Sequence, residues 1–117
     1  MTVKALIGYD IVAGVPREEY DRWLYDVHVP DLLANPHLDR IVFNTVTEEV
    51  QTASGSDTAA VQAVSLLRVA ELHFADIEAY RQYRAWFEEH PIPPERGVGG
   101  RSDFKFYVLC ESETISR

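Results

Sequence analysis

The order in which hydrophobic period changes along this chain leaves few folds open to it. Residues 2–12 alternate, with Val3, Ala5, Ile7, Tyr9 and Ile11 on one face and Lys4, Leu6, Gly8, Asp10 and Val12 on the other. That is the period-two signature of a strand. Ala13-Gly14-Val15-Pro16 makes a turn, and from Arg17 the period becomes helical. Tyr20, Trp23, Leu24 and Val27 stand at i, i+3, i+4 and i+7. The helix spans about 17–28, extends raggedly to 34, and is stopped by Asn35-Pro36. Residues 38–50 alternate again, Ile41, Phe43 and Thr45 against Val42, Asn44 and Val46, as a second strand. Residues 51–60 are small and polar and read as a hairpin connection. The third strand covers 61–74, with Leu66, Arg68, Ala70, Leu72 and Phe74 opposite Leu67, Val69, Glu71 and His73. Asp76 is placed to cap a second helix that runs to about Glu89, its apolar side carrying Ile77, Tyr80, Tyr83 and Phe87. A Pro-rich stretch and a Gly-rich loop follow, then a fourth strand over 104–110 and a frayed tail.

This order, β-α-β-β-α-β, predicts an α+β, ferredoxin-like domain spanning residues 1–117. Two helices pack on one face of a four-stranded antiparallel sheet. The strands are apolar on both faces, so the second face needs cover as well. A second copy packed sheet to sheet, as a homodimer, supplies it most simply. A sheet curled around a small ligand is the other solution, and the two are compatible.

The balance of 19 acidic against 11 basic residues, net −8, carries no basic stripe and argues against nucleic acid or an anionic membrane as partner. No apolar run approaches ~18 residues. The single Cys110 makes neither an internal disulfide nor a Cys-rich metal site. The cytoplasm is the expected compartment, by elimination. No phosphate-binding loop, nucleophile elbow or metal-ligand spacing of histidines is present, so the reading calls for no metal and no cofactor.

His28 is the histidine placed with most purpose. It lies four residues past Leu24 and eight past Tyr20, beside the buried face, where Pro30 bends or ends the helix. Imidazole titrates near pH 6.5 and exchanges protons at neutral pH with little tuning. The competing reading is a structural His bonded to a carbonyl at a helix end. Tyr9, on the Ala5-Ile7-Tyr9 face, can orient His28 or donate to a substrate oxygen. Arg68 shares a face with Leu66, Ala70 and Leu72 and must be paired, with Asp10 or another acid or with an anionic ligand. His73 is expected to point towards helix two and to be structural. Tyr20, Trp23, Leu24, Phe43, Trp86 and Phe104 are candidates to line or stack on an aromatic substrate, against the plainer reading that they are core.

Val27-His28-Val29-Pro30 followed by Asn35-Pro36-His37-Leu38 resembles the pattern of EthD and muconolactone-isomerase proteins. Arg17-Glu18-Glu19-Tyr20 resembles the signature of REDY-like proteins, with Glu in place of their Asp. Glu71-Leu72-His73-Phe74 leading into Asp76-Ile77-Glu78-Ala79-Tyr80 resembles the strand-to-helix junction of dimeric α/β-barrel proteins, including olivetolic-type cyclases. The resemblance implies that His28 does acid–base work in a barrel pocket, that Leu72 lies where the isomerases carry a cysteine, and that Tyr83 matches a site tyrosine of the cyclases. The paired histidine of those cyclases falls near Glu89 and is not reproduced.

These readings lead to a cofactor-independent acid–base enzyme, a cyclase, isomerase or dehydratase, acting on a small aromatic or polyketide-like carbonyl compound. Its residues are His28 and Tyr9, with substrate between sheet and helix one. Two alternatives stand beside it: a non-catalytic protein that holds a pathway intermediate, and a cofactorless monooxygenase of the antibiotic-biosynthesis type.

Overall fold

The structure is a computed structural model that describes residues 2–48 and 65–117. β1 (Thr2–Ile11), β2 (Arg40–Thr45), β3 (Arg68–Phe74) and β4 (Ser102–Ser112) form one antiparallel sheet in the order β2-β3-β1-β4. β1 lies between β3 and β4, with Tyr9 opposite Arg68, Ile7 opposite Ala70 and Val3 opposite Phe74. A bulge between Gly8 and Tyr9 shifts the β1–β4 register. This is the expected ferredoxin-like α+β topology. Helices α1 (Arg17–Trp23), α2 (Val29–Leu33) and α3 (Ile77–Glu89) cover the face carrying Val3, Ala5, Ile7 and Tyr9. Asp76 caps α3, its Oδ1 accepting from the Ala79 N–H at 2.8 Å.

Strand lengths depart from the apolar pattern. β2 ends at Thr45 and β3 begins at Arg68, whereas alternation predicts 38–50 and 61–74. Alternation reports which face a side chain can occupy, not whether a neighbouring strand is there to pair. The expected hairpin at 51–60 lies outside the described residues, as do the adjoining strand ends at 49–50 and 61–64. β4 runs to Ser112, so the expected tail is shorter, 113–117.

The first helix does not end at Pro30. A π-helical turn, Leu24–His28, links α1 to α2, and the Val29 N–H donates to Leu24 O, five residues back. Pro30 has no N–H to give to the Asp26 carbonyl, and in a regular α-helix its ring would collide with that group. A wider turn relieves the collision without stopping the helix.

The outer sheet face is mixed. Leu6, Val42, Val69, Phe106 and Val108 share it with a polar cluster around Glu71. That carboxylate accepts from Asn44 (2.7 Å) and Lys4 (3.3 Å) and contacts His73 Nε2 (2.9 Å). His73 therefore points away from the helices, contrary to expectation. It neighbours Phe74, and it is Phe74 that packs under α3 against Tyr83, ring centroids 4.9 Å apart. Edge strand β4 exposes apolar side chains on both its faces: Phe106 and Val108 outward, Phe104, Tyr107 and Leu109 on the helix side.

Candidate functional site

The wide turn determines what the first helix presents to the sheet. In an unbroken α-helix, eight residues at roughly 100° each carry Leu32 about 80° away from Leu24. One extra residue in the turn removes most of that drift, so Leu24, His28 and Leu32 point into the same cavity. α1 supplies Tyr20 to its wall. From the sheet come Ile7 and Tyr9 of β1, Ile41 and Phe43 of β2, and Ala70 and Leu72 of β3. Phe104 and Ser102 close the β4 side, and Val98 closes the top. The room inside it for a water-sized sphere is small, about 40 Å³, and it opens to solvent at its mouth.

Its walls are almost wholly apolar, and two polar atoms inside them have no hydrogen-bond partner: the Tyr9 hydroxyl and His28 Nδ1. Such atoms are rare in folded proteins because each costs desolvation without recompense. The Tyr20 hydroxyl, by contrast, is satisfied by Ser102 Oγ at 2.7 Å. His28 makes no capping bond to a carbonyl through Nδ1. Its ring lies parallel to Trp23, centroids 4.8 Å apart at 18°. Burial, only partly offset by the Asp31 carboxylate, pushes His28 down to about 4. It is thus neutral at pH 7, in place of the freely titrating imidazole expected from its unperturbed value. Burial also raises the Tyr9 phenol, against the pull of the neighbouring Arg68 guanidinium.

Seven of the anticipated residues meet here: His28, Tyr9, Tyr20, Leu24, Phe43, Leu72 and Phe104. Trp23 stands behind the wall as support for His28. Arg68 also stands behind it, nearly fully buried, and its partner is Asp21 of α1 at 2.8 Å, not Asp10. Tyr83 and Trp86 are absent from the site. Tyr83 packs on Phe74, which pairs with Val3 at the opposite end of the β1–β3 register from Tyr9 and Arg68. Trp86 stacks on His90 at 4.2 Å near the surface. Sharing the covered face of the sheet does not place two residues at the same end of it.

Ile7, Leu32, Ile41, Ala70, Val98 and Ser102 were not singled out from sequence. Val98 and Ser102 come from and beside a loop without period. That loop is pinned over the cavity by a two-pronged Arg96–Asp31 ion pair, 2.9 and 2.8 Å. The Trp23 indole N–H donates to Arg96 O at 3.0 Å and adds a second tie. Among the described residues, no group of three or more His, Cys, Asp or Glu is placed to hold a metal ion. No helix among them is long and apolar enough to cross a membrane.

No protein-family model matches the chain, and no curated protein matches it in sequence. Solved structures do match in shape. A protein of the EthD (ethyl tert-butyl ether D) family from Bacillus halodurans aligns with TM-score 0.58 at 14% identity, over 97% of this chain and 100% of its own. A protein of Arabidopsis thaliana aligns with TM-score 0.61 at 13% identity, over 100% and 98%. A dimeric protein of unknown function and ferredoxin-like fold from Bacteroides fragilis aligns with TM-score 0.53 at 13% identity, over 95% and 96%. At these identities the likeness establishes the fold: the ferredoxin-like architecture that EthD-family proteins share.

Proposed function

We propose that this chain binds a small, flat carbonyl or phenolic compound in the cavity between α1 and the sheet and acts on it by acid–base chemistry without a cofactor. The observation that carries the reading is the pair of unpartnered polar atoms in an apolar enclosure. A ligand that accepts from Tyr9 and bonds to His28 Nδ1 recovers both hydrogen bonds while burying its rings against Phe43, Leu72 and Phe104. An enolisable ketone has this pattern. Its carbonyl oxygen takes the Tyr9 hydrogen bond, and His28 takes the α-proton. The C–H electron pair moves onto oxygen as the enolate, ready for ring closure, isomerisation or loss of water.

The low basicity of His28 favours a second reading, a protein that holds such a compound without converting it. One experiment separates the two. The chain is incubated in D2O with 2-tetralone, a flat enolisable aryl ketone, and loss of its α-hydrogens is followed by proton NMR. Acceleration over buffer that falls at least ~100-fold in His28→Ala supports the enzyme. Saturable binding with no acceleration assigns the holding role, and no binding overturns both.

We further propose that the working form is a homodimer closed through the outer sheet face, where Phe106 and Val108 stand exposed. The structurally similar Bacteroides fragilis protein is described as dimeric.

A further inference from the structure

Tyr9 and Arg68 are direct cross-strand partners on β1 and β3, and both are about 3% exposed. Side chains so paired lie within about 4.5–5.5 Å at their Cβ atoms. The guanidinium is fixed in place: Nη1 donates to Asp21 Oδ1 at 2.8 Å and Nε to Thr45 Oγ1 at 3.2 Å. A full positive charge therefore stands buried beside Tyr9, a residue of the cavity wall whose hydroxyl is buried and makes no hydrogen bond of good geometry. The neutralising carboxylate of Asp21 is 28% exposed, where water weakens its compensation.

We propose that Arg68 is a positioning residue that makes the Tyr9 end of the cavity an oxyanion end, so that the compound bound there is an acidic enol or phenol held through its ionised oxygen. This rests on the reading above and deepens it by naming which end of the ligand carries charge and why. Arg68 does not touch the ligand. It acts through Tyr9, whose O–H becomes a stronger donor beside a cation. The other charges near the cavity are already committed. Asp31 is bound by Arg96, Arg101 donates to Gly97 O (2.8 Å) and Glu95 O (3.1 Å), and Arg17 lies 3.5 Å from Asp21.

The test uses 4-nitrophenol, whose phenolate absorbs in the visible, and 4-nitrotoluene, which has the same outline and cannot ionise. Wild type should hold nitrophenol as the phenolate and lower its pKa on binding. Arg68→Met should raise the bound probe's pKa by at least about 1 unit, a tenfold loss of phenolate affinity at neutral pH. Asp21→Asn, which removes the counter-charge and leaves the cation, should lower it. Both substitutions break the same ion pair, so structural damage moves both in one direction, whereas electrostatics moves them oppositely. Shifts of the same sign, or no shift, overturn the proposal. If Arg68→Met does not fold, Asp21→Asn together with Arg68→Lys, which keeps the charge and should keep the low probe pKa, decides it. Binding of nitrotoluene as tightly as nitrophenol overturns the oxyanion end and leaves the cavity reading intact. Failure of wild type to bind either compound overturns both.

Discussion

The imidazole of His28 and the indole of Trp23 stack at 4.8 Å with their planes 18° apart, so whatever happens to the proton of one is reported by the other. Protonated imidazole quenches indole fluorescence. The chain has only two tryptophans, and in Trp86→Phe the remaining emission comes from Trp23. Its intensity should fall with a midpoint near pH 4, where burial places His28. A midpoint near 6.5 would mean a solvated imidazole and an open cavity.

Stability should carry the same signature. The folded-state value of His28, about 4, lies below the ordinary 6.5. Above pH 6.5 both states are neutral at this site and nothing is lost. Between 6.5 and 4 the unfolded chain takes up a proton that the folded chain refuses, and stability falls by up to about 3 kcal/mol. Asp21, Asp31 and Glu71, lowered by Arg68, Arg96 and Asn44 respectively, add losses at still lower pH. Urea unfolding at pH 7 and pH 4.5 should therefore differ more in wild type than in His28→Gln.

Asn35 joins the end of α2 to α3. Buried to 1% exposure, it donates to Tyr83 O at 3.0 Å and accepts from the His37 N–H at 3.0 Å. Asn35→Leu leaves the His37 N–H without its partner and Tyr83 O with its helical bond alone, and should cost about 1–2 kcal/mol in urea unfolding, with an unchanged denaturant slope.

The Arg96–Asp31 pair should matter to ligand traffic more than to stability. It lies at the surface, Arg96 44% and Asp31 21% exposed, where a pair contributes about 1 kcal/mol at most. Yet it holds the loop bearing Val98 over the cavity. Asp31→Asn should leave the melting temperature almost unchanged and speed release of bound 4-nitrophenol in stopped flow. An unchanged release rate would place the entrance elsewhere.

Charging the outer face should separate the copies of a dimer. Val108→Lys should move the sedimentation coefficient from dimer to monomer at micromolar concentration while far-UV circular dichroism is preserved. A monomeric wild type would remove the outer face as the interface.

Much of this architecture is legible in residue type and spacing. The alternation of β1, the Tyr20-Trp23-Leu24 stripe and the Asp76 cap are local matters, and local period reports them. That is why His28, Tyr9 and five lining residues could be named together. The π-helical turn was not legible, because Pro30 says that a helix is disturbed without saying whether it ends or widens. Leu32 was missed with it. Val98 and Ser102 carry no period at all. Tyr83 and Trp86 were misplaced for a different reason: periodicity fixes the face of a sheet a helix covers, while the position along the strands depends on where each helix crosses. The partner of Arg68 was missed likewise, since Asp21 is distant in sequence and meets it only through the packing of α1.

The widened turn also means that the chemistry of this chain is set partly by counting. Removing one residue from between Leu24 and His28 would leave every side chain that lines the site in the composition and press Pro30 back against the carbonyl four residues before it. The imidazole would then swing by roughly 100° relative to Leu24 and Tyr20 before it. A chain of this kind can gain or lose its site through a change in length that alters none of the residues lining it.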